Sequence, residues 1–294
     1  MTVTFTSSDP AVSELVTSAA VGGTVTVGPG TFQATASFRP RAAGTTTVTA
    51  SAAGFLTTAA GVVGVTVTTP GITMQGLPVT VGSGLQLGGG TSVRALLQAA
   101  NHGGVVMRIE SSNPAVALVS PNATTPGTAF IEVPLSDGQT AAPYLVQGVE
   151  GAEGDVVITA SAARFADGNG TANVIPAAIR IDGLATTATA GGASDDFTVQ
   201  VGIPNSNGSN LGQVQSVRAG GTAVSATLTS SDPAVGELVT STASGGTVTV
   251  TIGPATSAAP ATFRPLAAGT TTVTASAPGV ITTGEGTVTV TVNP

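Results

Sequence analysis

The chain contains a single histidine and no cysteine, so few of its groups could do acid–base, nucleophilic or metal chemistry. His102, in AANHGG, has no second histidine and no carboxylate near it in sequence, and it reads as a solvated loop residue rather than a ligand or a base. Tyr144, in PYLVQ, reads as a strand residue with an exposed hydroxyl rather than a nucleophile. Acidic residues gather at Asp195 and Asp196, with Asp182 upstream, and at Asp167 beside Asn169. Calcium asks for about six to eight oxygen ligands, so these aspartates are weak metal candidates and solvated turns are the expectation. The spacings of zinc proteases, serine hydrolases, P-loops and dinucleotide-binding turns do not occur, and the glycine pairs have no helical pattern after them. Neither catalysis nor a cofactor is expected. Sequons at Asn122, Asn169 and Asn207 fall in expected loops.

Elements able to position such residues are written as repeats. SSDPAVSELVTS near the start returns as SSDPAVGELVTS, GGTVTV returns unchanged, and FRPRAAGTTTVTASA returns as FRPLAAGTTTVTASA, so 230–277 largely rewrites 7–52. A fainter copy lies between, as SSNPAVALVS and GDVVITASA. A period a little over a hundred residues suits one small all-β domain per copy rather than a solenoid turn. In SSDP and SSNP, Asp9, Asn113 and Asp232 can accept from backbone N–H groups just ahead, while Pro10, Pro114 and Pro233 supply a preset φ. These are expected to be structural, strand-ending turns. The β-branched alternation of GTTTVTASA suits a half-buried strand. DGNG at Asp167 reads as a hairpin turn, and 204–213 and 136–143 read as variable loops.

These motifs resemble those of bacterial Ig-like domains of the invasin and intimin kind, which carry an SSDPxVA turn and a late AGTATITA strand. The strand before the turn usually carries a Trp in that family, whereas here it ends in Phe5, Ile109 or Leu228. The resemblance implies an all-β chain of tandem Ig-like β-sandwich domains at 1–69, 70–178 and 179–294. It also implies an extracellular or cell-surface protein acting as a stalk, fibre or adhesive module.

Composition narrows the partners. Charged residues make up 8% of the chain, against roughly 25% in an average soluble domain, so the surface must be mostly Thr, Ser, Gly, Ala and Asn. All eight basic residues are Arg, and a net charge of −7 without a basic cluster argues against nucleic acid. No apolar run approaches the roughly 20 residues that span a bilayer as a helix. Aromatic content of 3% speaks against a stacking glycan site, although contact with a glycan or receptor through loops, as in an adhesin or phage-tail module, is the alternative reading.

The first copy is expected to be incomplete at its N-terminus. Met1 aligns near Val224, so the strands equivalent to the stretch before 222 have no counterpart, and Val3 and Phe5 are expected to want partners. Each apolar side chain left uncovered forgoes roughly 1.5 to 3 kcal/mol, so 1–69 is not expected to be stable alone. Self-assembly through strand complementation of this copy follows as the expected function, as a fibre or within a longer tandem chain.

Overall fold

The computed structural model describes residues 1–17 and 23–294. Its regular elements are β-strands and two short 3-10 turns, Ala59–Gly61 and Gly284–Gly286. The chain divides into two compact units, Met1–Pro70 and Gly71–Pro294.

The larger unit holds two β-sandwiches. In the C-terminal one, a sheet runs in the order Ser244–Gly245, Gly236–Val239, Ala258–Pro265, Asp195–Pro204, Ala178–Asp182, Ile281–Thr282, with Leu211–Val214 also paired to Asp195–Pro204. The opposing sheet runs Thr187–Thr189, Thr287–Asn293, Gly269–Ser276, Val224–Ser230, Thr247–Ile252. Alternation drives the packing: in GTTTVTAS, Thr271, Val273 and Ala275 are buried while Thr270, Thr272 and Thr274 are not. Phe263, Leu228, Leu238, Ile252 and Val290 fill the space between the sheets.

The sandwich before it repeats the plan. Phe130–Leu135, Val105–Ser111, Gly154–Ala162, Gly168–Ile175 and Val79–Gly82 form one sheet. Facing it are two short sheets, Ala141–Pro143, Arg94–Leu97, Ile72–Gln75 and then Ala117–Ser120, Leu145–Gly148, Leu85–Gly88. The last of these is extended by Ser216–Val217, which belongs to the following repeat, so one sheet crosses from repeat to repeat.

Three loop expectations need correction. DGNG is not the hairpin turn: the chain reverses just before it, with Arg164 at φ 70°, and Gly168 and Gly170 lie inside a strand. Those glycines answer to packing, since a Cβ would fall 2.2 Å from the Ile72 carbonyl oxygen at Gly168 and 2.7 Å from the Leu77 side chain at Gly170. The stretch 136–143 is half loop, because Ala141–Pro143 pairs with Arg94–Leu96. Within 204–213 only the turn is irregular, and Leu211–Val214 returns antiparallel to Asp195–Pro204.

The first unit is smaller. Thr24–Thr26, Thr2–Ser7, Gly44–Ser51 and Val62–Val67 make a four-stranded sheet, and Ser13–Thr17 pairs with Ala36–Pro40 in a two-stranded one. These six strands correspond, motif by motif, to the latter half of the C-terminal sandwich. The shortfall exceeds the two strands expected from sequence, because 178–222 contributes five strands there.

Candidate assembly edge of the first unit

Val3 and Phe5 sit on a strand with neighbours on both sides: Val3 opposes Val25, and Phe5 opposes Ala50. Their backbones are therefore satisfied, and what they leave open is side-chain surface, both being half-buried. Among the described residues, Ala36–Pro40 has one strand partner, Ser13–Thr17, and Val62–Val67 is likewise paired on one side only. Sequence reasoning missed the Ala36–Pro40 edge. No local pattern marks it: only the strand order shows that Phe263, in the C-terminal copy of FRP, is opposed on both sides, by Leu238 and by Asp195.

Burial follows the missing partner. Phe263 is fully buried in the C-terminal sandwich, whereas Phe38, its counterpart in FRP, is only half-buried. Buried apolar residues of the first unit are Val12, Leu15 and Val25, while Phe32, Phe55 and Leu56 are 91%, 66% and 96% exposed. Such a cluster of exposed large apolar groups is unusual on a chain otherwise covered by Thr and Ala. The edge carries two guards against strand addition, Arg39, which is paired to Glu14 at 3.5 Å, and Pro40 at its end, and leaves 36–38 without either.

The turn residues occupy equivalent geometry in all three repeats. The side-chain oxygens of Asp9, Asn113 and Asp232 accept from the N–H groups of Ala11, Ala115 and Ala234 at 2.9, 3.3 and 3.0 Å, with Pro10, Pro114 and Pro233 between them. Behind the turn, Ser230 Oγ donates to the Gly236 carbonyl and shares a hydrogen bond with Thr271 Oγ1, as Ser7 does with Thr46.

His102 and Tyr144 differ from expectation. His102 is buried: Nε2 lies 2.8 Å from the Gln139 carbonyl oxygen and Nδ1 accepts from the Gly104 N–H, so the ring staples 136–139 to its own turn. Asp137 braces the same turn through the Gly103 N–H at 2.7 Å, and that hydrogen bond holds its carboxyl below the usual range. Tyr144 is fully buried, and its hydroxyl has no hydrogen-bond partner among the described residues. Burial pushes its pKa far up, so it is no nucleophile near neutral pH.

The acidic candidates are occupied within the protein. Asp195 accepts from the Ala185 N–H, Asp196 from the Thr262 hydroxyl, and Asp182 pairs with Arg180 at 2.9 Å. Asp182 and Asp196 line an open groove of about 890 Å³ otherwise walled largely by Thr and Ala. Among the described residues, no three His, Cys, Asp or Glu side chains gather to hold a metal. Asp167 stands at the head of the Gly168–Ile175 strand, with Asn169 on that strand rather than in a loop, whereas Asn122 and Asn207 are in turns.

No family model matches the sequence, and no curated protein matches it. Among solved structures, surface-layer protein SbsC, domains 4–9, is 21% identical with a TM-score of 0.29, over 99% of this chain and 39% of that one. The Escherichia coli adhesin FdeC is 15% identical with a TM-score of 0.29, over 99% and 85% of the two chains. The Yersinia pseudotuberculosis adhesin InvE is 16% identical with a TM-score of 0.28, over 76% and 59%. At these scores the likeness adds nothing to the all-β tandem architecture already given by the strand pairing, and the chain spans about two fifths of the SbsC structure.

Sequence reasoning also missed the joint inside the larger unit. Gln215 donates to the Thr80 carbonyl and accepts from the Gly82 N–H at 2.8 Å, while Gln86 accepts from the Ala219 N–H. Arg218 meets Glu150 with two nitrogens, and Thr222 N–H donates to the same carboxylate. Burial works against the Glu150 charge, yet these donors hold its carboxyl below the usual value of 4.5. Gln86 and Gln215 are buried, and a buried amide must be hydrogen-bonded, but their burial left no mark in the local sequence pattern.

Proposed function

We propose that this protein is a non-catalytic, extracellular or cell-surface Ig-like stalk or fibre subunit, and that it assembles by strand complementation of its first unit. The observation that carries the reading is the strand Ala36–Pro40, paired on one side among the described residues and carrying a half-buried Phe38, at the repeat position where the C-terminal sandwich has strands on both sides and a fully buried Phe263. An added strand supplies backbone hydrogen bonds and alternate apolar side chains together. If the contact is head-to-tail and its rotation does not close, it propagates into a fibre. The adhesin and surface-layer proteins it resembles fit a surface location. The rival reading, recognition through loops, is weakened because much of 136–143 and 204–213 is spent on internal strand pairing.

The test is electron microscopy and sedimentation of the full chain beside a variant lacking 1–69. Fibres or oligomers are expected from the full chain and not from the truncated one. Equal assembly of both at the same concentration rejects the reading.

A further inference from the structure

The C-terminal sandwich shows what covers the surface that the first unit leaves open. There, Asp195–Pro204 lies antiparallel along 258–263, six of the eight residues of Ala258–Pro265, with Asp195 opposite Phe263, Phe197 opposite Ala261 and Gln200 opposite Ala258. In the first unit the matching strand is five residues long, Ala36–Pro40, and 33–35 are not in a strand. The lost residues are those that would face the counterparts of Thr198, Val199 and Gln200.

A second line of contact agrees independently. Ala178–Asp182 runs parallel to Ile281–Thr282, the Thr283 hydroxyl donates to the Ile179 carbonyl at 3.0 Å, and a Cβ on Gly286 would sit 3.1 Å from that same oxygen. The first unit repeats this docking strip as Leu56, Thr57, Thr58 and Gly61, in FLTTAAG against VITTGEG. Leu56 and Thr58 are exposed, and Thr58 makes no capping hydrogen bond. On the other sheet, Val290 is fully buried but its counterpart Val65 is only half-buried.

We propose that the first unit is a preformed acceptor for the N-terminal half of its own repeat type. Its partner would be a segment with the pattern of 178–204 that is not already paired within a sandwich of its own. This inference rests on the assembly reading above and adds the donor's chemistry, direction and register. The donor is a pair of strands that carries charges at the positions of Arg180, Asp182, Asp195 and Asp196. The second strand lies antiparallel to 33–38 and carries inward apolar residues at the positions of Phe197, Val199 and Val201, with the aromatic opposite Ala36. The first strand lies parallel to 56–57 and presents a carbonyl to Thr58. A single generic strand added at an edge meets only half of these conditions.

A fluorescently labelled synthetic peptide of residues 178–204 tests this against the full chain, by anisotropy titration and by amide hydrogen exchange of the complex. Saturable binding is expected, with slowed exchange confined to 33–40, 56–61 and 62–67. The same peptide carrying Phe197→Asp and Val199→Asp should bind at least about tenfold more weakly, because two buried apolar contacts become charges. Protection confined to 71–294 would mean that the peptide merely exchanges into its parent sandwich, and would overturn the proposal. So would equal binding of the two peptides. If the full chain forms fibres through 1–69 yet the peptide neither binds nor slows them, this inference is wrong and the assembly reading stands. If the peptide binds as expected but removing 1–69 leaves assembly unchanged, the acceptor stands and the assembly reading is wrong.

Discussion

Tyr144 lies in the core of the larger unit because its ring replaces aliphatic volume in a sandwich with no tryptophan, and its hydroxyl was carried inside with it. A buried hydroxyl without a partner costs about 1 to 3 kcal/mol. Tyr144→Phe is therefore expected to leave stability unchanged or raise it by up to about 2 kcal/mol in urea unfolding. A loss above about 1 kcal/mol would show that the hydroxyl is satisfied by ordered water. Asp232 belongs to the opposite class, a surface carboxylate whose value is the turn it closes. Asp232→Ala should lower the stability of the larger unit by about 0.5 to 2 kcal/mol, read from the same urea curves, and should leave assembly intact. Loss of assembly without loss of stability would mean that the turn meets a partner.

At the level of elements, one motif is seen in two environments. Phe263 is flanked by strands on both sides, so Phe263→Ala should cost about 3 to 5 kcal/mol. Phe38 has a strand on one side, so Phe38→Ala should cost less than about 2 kcal/mol until a donor is bound. Equal costs in the free protein would mean that Phe38 is already covered. The joint between repeats makes a prediction in pH. Glu150 has a lower carboxyl pKa folded than unfolded, so its contribution is complete above the usual 4.5 and is lost as pH falls through the lower folded value. Melting of the larger unit should show an acid-dependent decline in that window, and Glu150→Gln should flatten it. An unchanged pH profile in the variant would place the dependence elsewhere.

At the scale of the whole molecule, the two units differ in how much apolar surface they bury. Among the described residues the first has three buried apolar side chains, and the larger unit holds the rest of the core. Denaturant unfolding of the full chain is expected to be biphasic, with hydrogen exchange assigning the earlier transition to residues 1–70. A single transition reported alike by both units would show that the first is stabilised to the level of the second. The 178–204 peptide, if it binds, should move the early transition and leave the late one in place.

The all-β class, the repeat period and the SSDP turns follow from sequence alone, because strand alternation and turn chemistry are local and act over a few residues. The incompleteness of the first copy was legible too, since it is a matter of alignment between copies within one chain. Tertiary structure decided which edge that incompleteness exposes. Val3 and Phe5 lie on a strand with neighbours on both sides, and a strand paired on one side falls more than thirty residues later, at Ala36–Pro40, because strand order does not follow chain order. Burial of His102 and Tyr144, and the clasp of Gln215 and Arg218 on the preceding repeat, were equally out of reach of local pattern. Each depends on partners between 37 and 135 residues away, or on the lack of one. Short-range spacing carries no information about contacts at that separation.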